Sequence, residues 1–391
     1  MTSLRAIVVG AGAFGGWTAL ALQRRGAEVT LVDAWGAGHS RSSSGDETRI
    51  IRSVYNGDPL YTDMVLRAAT SWRAAEERWG RCVFHRTGAL YIFEGDDEFA
   101  RRSLPLARER GIMVVPLPLD EARGRFPQIR FADVRTVYWE PEAGYLLARG
   151  SCELVREEFV RAGGTWRVAL AKPGALTSGR LSSVDLSGGD RLEADAFVFA
   201  CGPWLGKVFP DVVGDGIVAT RQDIVYFGTA PGDQRYDESR FPVWINFGER
   251  RLYGIPGNEL RGFKVGDDSA GEVVDPTTLD RVVTAKALRI ARTLLARRFP
   301  GLVGAPVAET RVCQYEFSPT GDFLLDRHPA TSNVWLVGGG SGHGFKMGPA
   351  IGDEVANLVL DGTPTAPRFS YPSFEAARIA RRKMPGERTH S

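Results

Sequence analysis

The sequence predicts an α/β protein whose parallel sheet is assembled from both ends of the chain, with a β-rich segment inserted between them. Three observations predict it. A strand, a glycine turn, a helix and a second strand open the chain as MTSLRAIVVGAGAFGGWTALALQRRGAEVTLVDAW. Another strand, glycine loop and helix, NVWLVGGGSGHGFKMGPAIGDEVANLVLDG, follow from Asn333. Between them, from Gly216 to Val265, strand follows strand in QDIVYFG, FPVWINFG and RLYGIPG.

Ala6 to Val9 is a short apolar, β-branched run with the length of a fully buried parallel strand. From Ala13 to Arg25 the residues are mostly helix formers, with Trp17, Leu20, Ala21 and Arg24 at helical spacings and Gly26 at the C-cap. The strand Glu28 to Val32 then ends in Asp33. Gly10, Gly12 and Gly15 fit G-x-G-x-x-G, and this strand–turn–helix context makes the motif a dinucleotide site. The helix N-terminus, opened by Ala13 and Phe14, would face a pyrophosphate, and Asp33 would accept hydrogen bonds from ribose hydroxyls. These residues allow FAD and NAD equally.

His39 to Arg52, HSRSSSGDETRIIR, reads as a loop that brings two arginines close to the motif. A helix follows from about Tyr61 to Trp79, GALYIFEG from Gly88 is a strand and turn, and Gly150 to Ala162 is a further helix. DAFVFACGPW, Asp195 to Trp204, is an apolar strand ending in a glycine turn, as at a ligand crevice. A long helix is expected from Leu279 to Phe299, stopped by Pro300 and Gly301. Residues 1–50, 140–215 and 308–375 are expected to form the dinucleotide domain, and 51–139 and 216–307 the substrate-binding domain. Residues 376–391, with RIARRKMPGER, are expected to be a basic C-terminal tail, a solvated face or frayed end.

With 391 residues, 43% of them hydrophobic, the chain can bury two cores. A net charge of +2 gives no field that would recruit nucleic acid or an acidic membrane. Five histidines and four cysteines (Cys82, Cys152, Cys201, Cys313) are scattered without ligand spacing, so no metal is expected. No run of 18 apolar residues and no charged, apolar leader occur, which predicts a soluble cytoplasmic protein with reduced thiols.

The opening βαβ, the ETRIIR passage, RVCQYEFSPTGDFLLDRHP from Arg311, and GGGSGHGFKMGPAIGDEVA together resemble the monomeric sarcosine oxidase group of the D-amino-acid-oxidase-like flavoproteins. That group includes sarcosine, N-methyltryptophan and pipecolate oxidases and, more distantly, fructosyl amino acid oxidases. The resemblance covers nearly the whole chain, and the last two motifs are its specific part. It implies FAD, held by a Rossmann-like domain of the glutathione-reductase type, with an inserted α+β substrate domain carrying a large mixed or antiparallel sheet.

Residue by residue, Cys313 in RVCQY matches the cysteine that bonds covalently to the 8α-methyl carbon of the flavin, although a lone cysteine is usually an inert core thiol. Cys201 is the better candidate for that inert role. Thr48 and Arg49 match positions on the flavin side, and Gly340, Gly342, Gly344, Phe345 and Lys346 match the second flavin loop. Arg52 and Lys346 match the pair that binds the substrate carboxylate, where fixed cations turn binding energy into positioning. Lys264, in LRGFKVGDD, matches the lysine over the ring that promotes reaction with oxygen by stabilising developing superoxide. Tyr253 and Tyr315 match tyrosines lining the substrate pocket.

The chain also departs from the group. Asp268 stands where sarcosine oxidase has a histidine, GDETR replaces H-G-D-T-R, and Trp244 occupies an aliphatic pocket position. Asp268 is expected either to pair with a cationic or hydroxylated part of a larger substrate or to face water. The implied activity is oxidation of a secondary or N-substituted amino acid at the C–H next to nitrogen, giving an imine and, with molecular oxygen, hydrogen peroxide. The protein is expected to act on this small molecule as a monomer. A flavin dehydrogenase on the same fold and a fructosyl-amino-acid oxidase remain as alternatives. So does an NAD-binding sensor, which would have no need of the GSGHGFK loop.

Overall fold

The computed structural model describes residues 3–383. Its first layer is a six-stranded sheet. The order is Leu324–Arg327, Val334–Gly338, Ala196–Phe199, β1 (Arg5–Val9), β2 (Glu28–Asp33) and Thr165–Val168. All neighbours run parallel except Leu324–Arg327. Both faces of β1 are covered, which is why its residues read as a continuous apolar run. Ala6 and Val8 pack beneath α1 (Ala13–Arg24) and the helix Gly348–Leu360. Ile7 and Val9 belong to the core on the other face, with Val184 and Leu186 of a small antiparallel sheet. The turn after β1 demands glycine: Gly10 has φ +107°, and a Cβ on it would stand 2.2 Å from the Ala200 carbonyl oxygen.

The second layer is an eight-stranded mixed sheet. It runs Val307–Phe317, Val218–Phe227, Phe263–Asp267, Arg251–Ile255, Val243–Phe247, Ala89–Phe93, Thr136–Glu140, Val115–Pro116. Only Val243–Phe247 and Ala89–Phe93 pair in parallel. One face carries Trp244, Phe263, Leu294, Leu295 and Phe299 in a shared core with the helix Ala285–Arg298. The opposite face carries Lys264 toward the first layer. Trp244 is therefore a core residue, stacked on Phe263 at 5.9 Å, and does not shape the candidate substrate cavity as expected.

Three further expectations change. The segment read as loop contains β3 (Thr48–Ile51), paired antiparallel with Gly144–Leu147, because its β-branched residues find a partner far along the chain. The long helix begins at Ala285 rather than Leu279. Thr284 Oγ1 caps it by accepting from Ala287 N, while the Asp280 carboxylate holds Val282 N in a turn. The basic tail from residue 376 is in part the helix Tyr371–Lys383, in which Arg378 is buried and donates to Glu375 and to the Val213 carbonyl; residues 384–391 lie outside the described part. The helix expected from Tyr61 is α2 (Pro59–Trp79), capped by Asp58 with proline in its first turn and closed by left-handed Gly80. Among the described residues, no helix is long and apolar enough to cross a membrane.

Candidate active site

A cavity of about 720 Å3 opens at the carboxyl ends of β1 and β2. At one end stand Asp33 and Trp35, in the middle Gly10, Gly12, Ala13 and Phe14, and at the far end Arg49, Tyr315 and Phe345. The first turn of α1 has no acidic residue, and Gly12 offers no side-chain cap, so the positive end of the helix is turned to the cavity. Asp33 does more than wait for a ribose. Its Oδ2 accepts from Ala11 N at 2.8 Å and its Oδ1 from Trp35 N at 2.9 Å, which splints the glycine turn. Gly15 does not touch the cavity; a Cβ there would meet the Gly10 carbonyl oxygen at 1.9 Å, so it serves close packing of α1.

The second glycine loop closes the far side. Gly342 has φ +79° and lies against the Tyr315 ring, where a Cβ would come within 2.8 Å; Gly344 lies against Phe14 in the same way. Two buried polar atoms of residues lining this cavity, Ser43 Oγ and Glu316 Oε2, have no hydrogen-bond partner among the described residues. A cavity of this volume, lined by an anion-favouring helix end and by polar atoms without partners among the described residues, fits an adenine dinucleotide.

At the ring end, Lys264 Nζ donates to Asp46 Oδ2 at 2.6 Å and to the Thr48 carbonyl at 2.9 Å. Asp46 also accepts from Arg49 at 2.6 Å and from the Tyr226 hydroxyl at 2.9 Å. Burial opposes ionisation of Asp46, but the Lys264 ammonium and the Arg49 guanidinium outweigh it and hold its carboxyl well below the usual range. Arg49 reaches on to Cys313, its Nη2 standing 3.1 Å from Sγ. Neither Asp46 nor Tyr226 stood out in the sequence. The signal for Asp46 was its departure from the expected loop pattern.

Arg52 and Lys346 lie on the same ring, Tyr55, at 4.9 Å and 5.4 Å from its centroid. Arg52 donates to the Val54 carbonyl and Lys346 to the His343 carbonyl, and among the described residues neither forms a salt bridge. Burial first, and the neighbouring Arg52 second, push the Lys346 ammonium well below its ordinary pKa. Tyr55 carries a buried hydroxyl without a partner beside them, a site residue that sequence reasoning missed. Asp268, expected to pair with part of the substrate or to face water, is partly exposed, and within the chain Arg251 Nε stands 2.9 Å from it and the Tyr315 hydroxyl donates to it at 3.0 Å. Tyr253 and Tyr315 stand together near it, and burial raises the pKa of both hydroxyls. Cys201 is half-buried just past its strand end, on the wall of the cavity rather than in the core, and desolvation raises its pKa. Among the described residues, no group of three or more His, Cys, Asp or Glu is placed to hold a metal ion.

The chain is 28% identical over 373 residues to the monomeric sarcosine oxidase of Bacillus sp. (strain B-0618), covering 92% of this chain and 93% of that protein. It is 27% identical to the N-methyl-L-tryptophan oxidase of Salmonella arizonae, with 96% and 98% covered. Among solved structures, the L-proline dehydrogenase of P. horikoshii superposes with a TM-score of 0.83 at 22% identity, covering 96% of this chain and 98% of that one, which is a likeness of fold. Residues 5–358 match the DAO family, FAD dependent oxidoreductase. With its dinucleotide cradle, its glycine loop and this match over most of its length, the chain belongs to the FAD dependent oxidoreductase family.

Proposed function

We propose that the protein is an FAD-dependent amine oxidase acting on a secondary or N-substituted amino acid at the C–H bond next to nitrogen, with an imine and hydrogen peroxide as products. The observation that carries this reading is the pair Arg52 and Lys346, a half-buried and a buried cation that form no salt bridge among the described residues, beside the ring end of the cofactor cavity. Relatives named for sarcosine and N-methyltryptophan support it.

FAD, when bound, supplies the acceptor for a hydride equivalent. The chain's residues do the rest. Arg52 and Lys346 hold the substrate carboxylate and so fix which C–H faces the ring. Their charge lowers the pKa of the substrate nitrogen, so the amine binds neutral and no strong general base is needed. Tyr253 and Tyr315 wall the site, with Asp268 fixing the Tyr315 hydroxyl. Lys264 stabilises negative charge developing on oxygen. Gly10, Gly12, Ala13, Phe14, Asp33, Thr48, Arg49 and the Gly340–Lys346 loop hold the cofactor, and Cys313 is its covalent anchor. We assign the enzyme to the cytoplasm, where its four free cysteines stay reduced, as a monomer.

One observation favours a second reading. The Asp46 carboxylate lies against Lys264 and offsets its charge, as would suit a dehydrogenase that passes electrons to a carrier instead of oxygen.

The test is the visible spectrum of the purified protein, recorded anaerobically while sarcosine, proline, pipecolate, N-methyltryptophan and a fructosyl amino acid are added in turn. A yellow spectrum that bleaches with one of them is expected, and recolours when air is admitted. Fast bleaching with slow recolouring in air selects the dehydrogenase, and a colourless protein that binds NAD overturns both readings. After acid precipitation the colour should remain with the protein, and leave it in Cys313→Ala.

A further inference from the structure

Glu316 has no place in the chemistry above, yet it is a carboxylic acid 8% exposed in the wall of the cofactor cavity. Its Oε1 accepts from Gly340 N at 3.3 Å. Its Oε2 has no partner, and it lies so near Gly202 that a Cβ there would come within 2.8 Å. Among the described residues it forms no salt bridge, and the Ser43 hydroxyl, whose Oγ is likewise without a hydrogen bond there, is near enough to favour its ionised form. Burial pushes its carboxyl up to about 7, against the Gly340 N–H and the Ser43 hydroxyl, which draw it down. A buried polar atom left unpaired costs the full desolvation of the group, so its position calls for a ligand atom.

The position along the cavity says which atom. Asp33 and Trp35 mark the adenosine end, the first turn of α1 marks the diphosphate, and Arg49, Cys313 and Tyr315 mark the ring. Glu316 follows Tyr315 in the chain, bonds the glycine loop and stands by Phe14 of the first turn, between the diphosphate and ring positions. The part of FAD that joins those two is its polyol chain. A carboxylate there repels a phosphate but accepts from a hydroxyl, and a hydrogen bond to a charged acceptor is about twice as strong as a neutral one.

We propose that Glu316 is a cofactor-positioning residue whose free Oε2 accepts a hydrogen bond from a ribityl hydroxyl of FAD. The inference rests on the FAD assignment, and a colourless protein would remove that assignment before any variant is compared. The experiment uses the flavin-loaded protein in a Cys313→Ala background, so that only non-covalent contacts hold the cofactor, and follows release by the rise of flavin fluorescence on dilution. It compares FAD with analogues lacking the 2′, 3′ or 4′ hydroxyl. In the Glu316 protein one analogue is expected to leave about tenfold faster than FAD. In Glu316→Leu, FAD itself leaves about tenfold faster and that analogue no longer differs from it. Glu316→Thr, too short to reach the polyol, gives the same loss of discrimination should leucine prevent folding. Release unchanged by the substitutions, no sensitivity to any single hydroxyl, or sensitivity that persists without Glu316 overturns the proposal.

Discussion

Lys346 and Lys264 are both buried lysines, and their surroundings differ. Lys346 forms no salt bridge among the described residues and has a depressed pKa, so an incoming carboxylate would raise it again. Binding should therefore take up a proton between the lower pKa of the free site and the higher pKa of the complex, and affinity should fall as pH rises through that interval. The check is proton uptake in weakly buffered alkaline solution on adding an unreactive carboxylate such as 2-furoate, an uptake that Lys346→Met should abolish. Lys264 has a carboxylate beside it in Asp46, which partly offsets the lowering of its pKa by burial. Lys264→Met should leave anaerobic flavin reduction within a few-fold and slow reoxidation by air by orders of magnitude; unchanged reoxidation in stopped flow would remove the lysine from its role. Arg52, Lys264 and Lys346 were legible only through short motifs around them. Tyr55 and Tyr226 were not, since a tyrosine in an apolar stretch carries no mark of which face it takes until the partners across the sheet are known.

Strands and helices with their own turn chemistry were legible, and those completed by distant partners were not. The opening βαβ carried its glycine turn and its 3.6-residue spacing within a few dozen residues, and it formed where expected. β3 depended on pairing with Gly144–Leu147, which no local pattern announces. The start of the helix Ala285–Arg298 was missed because Thr284 competes as a cap with the helix-forming residues before it. Replacing it with alanine should destabilise the protein by about 1 kcal/mol, seen as a lower urea midpoint with flavin content unchanged. Gly342→Ala should do the reverse. The added methyl meets the Tyr315 ring at a backbone angle that favours glycine, so flavin content by absorbance should drop while the circular dichroism of the fold persists.

At the scale of the whole molecule, the two sheets are joined by charge beside the cofactor cavity. Lys264 from the second layer meets Asp46 beside the first, and Glu47 next to it accepts from Arg311, with Arg261 3.3 Å away. Asp46→Asn leaves the buried Lys264 ammonium without its counter-charge and should cost about 3–5 kcal/mol, read as a lower melting temperature of the flavin-loaded protein. The double variant with Lys264→Met should recover most of the loss; equal losses in the single and double variants would mean the pair does not join the layers. The rim of the site is built differently. There Asp268 is held by Arg251, both partly exposed, on the arms of one hairpin, whereas the cofactor's cradle is largely backbone and glycine. Substitutions at Asp268 and Arg251 thus change partly exposed charge at the rim without touching the glycine backbone on which the cradle depends.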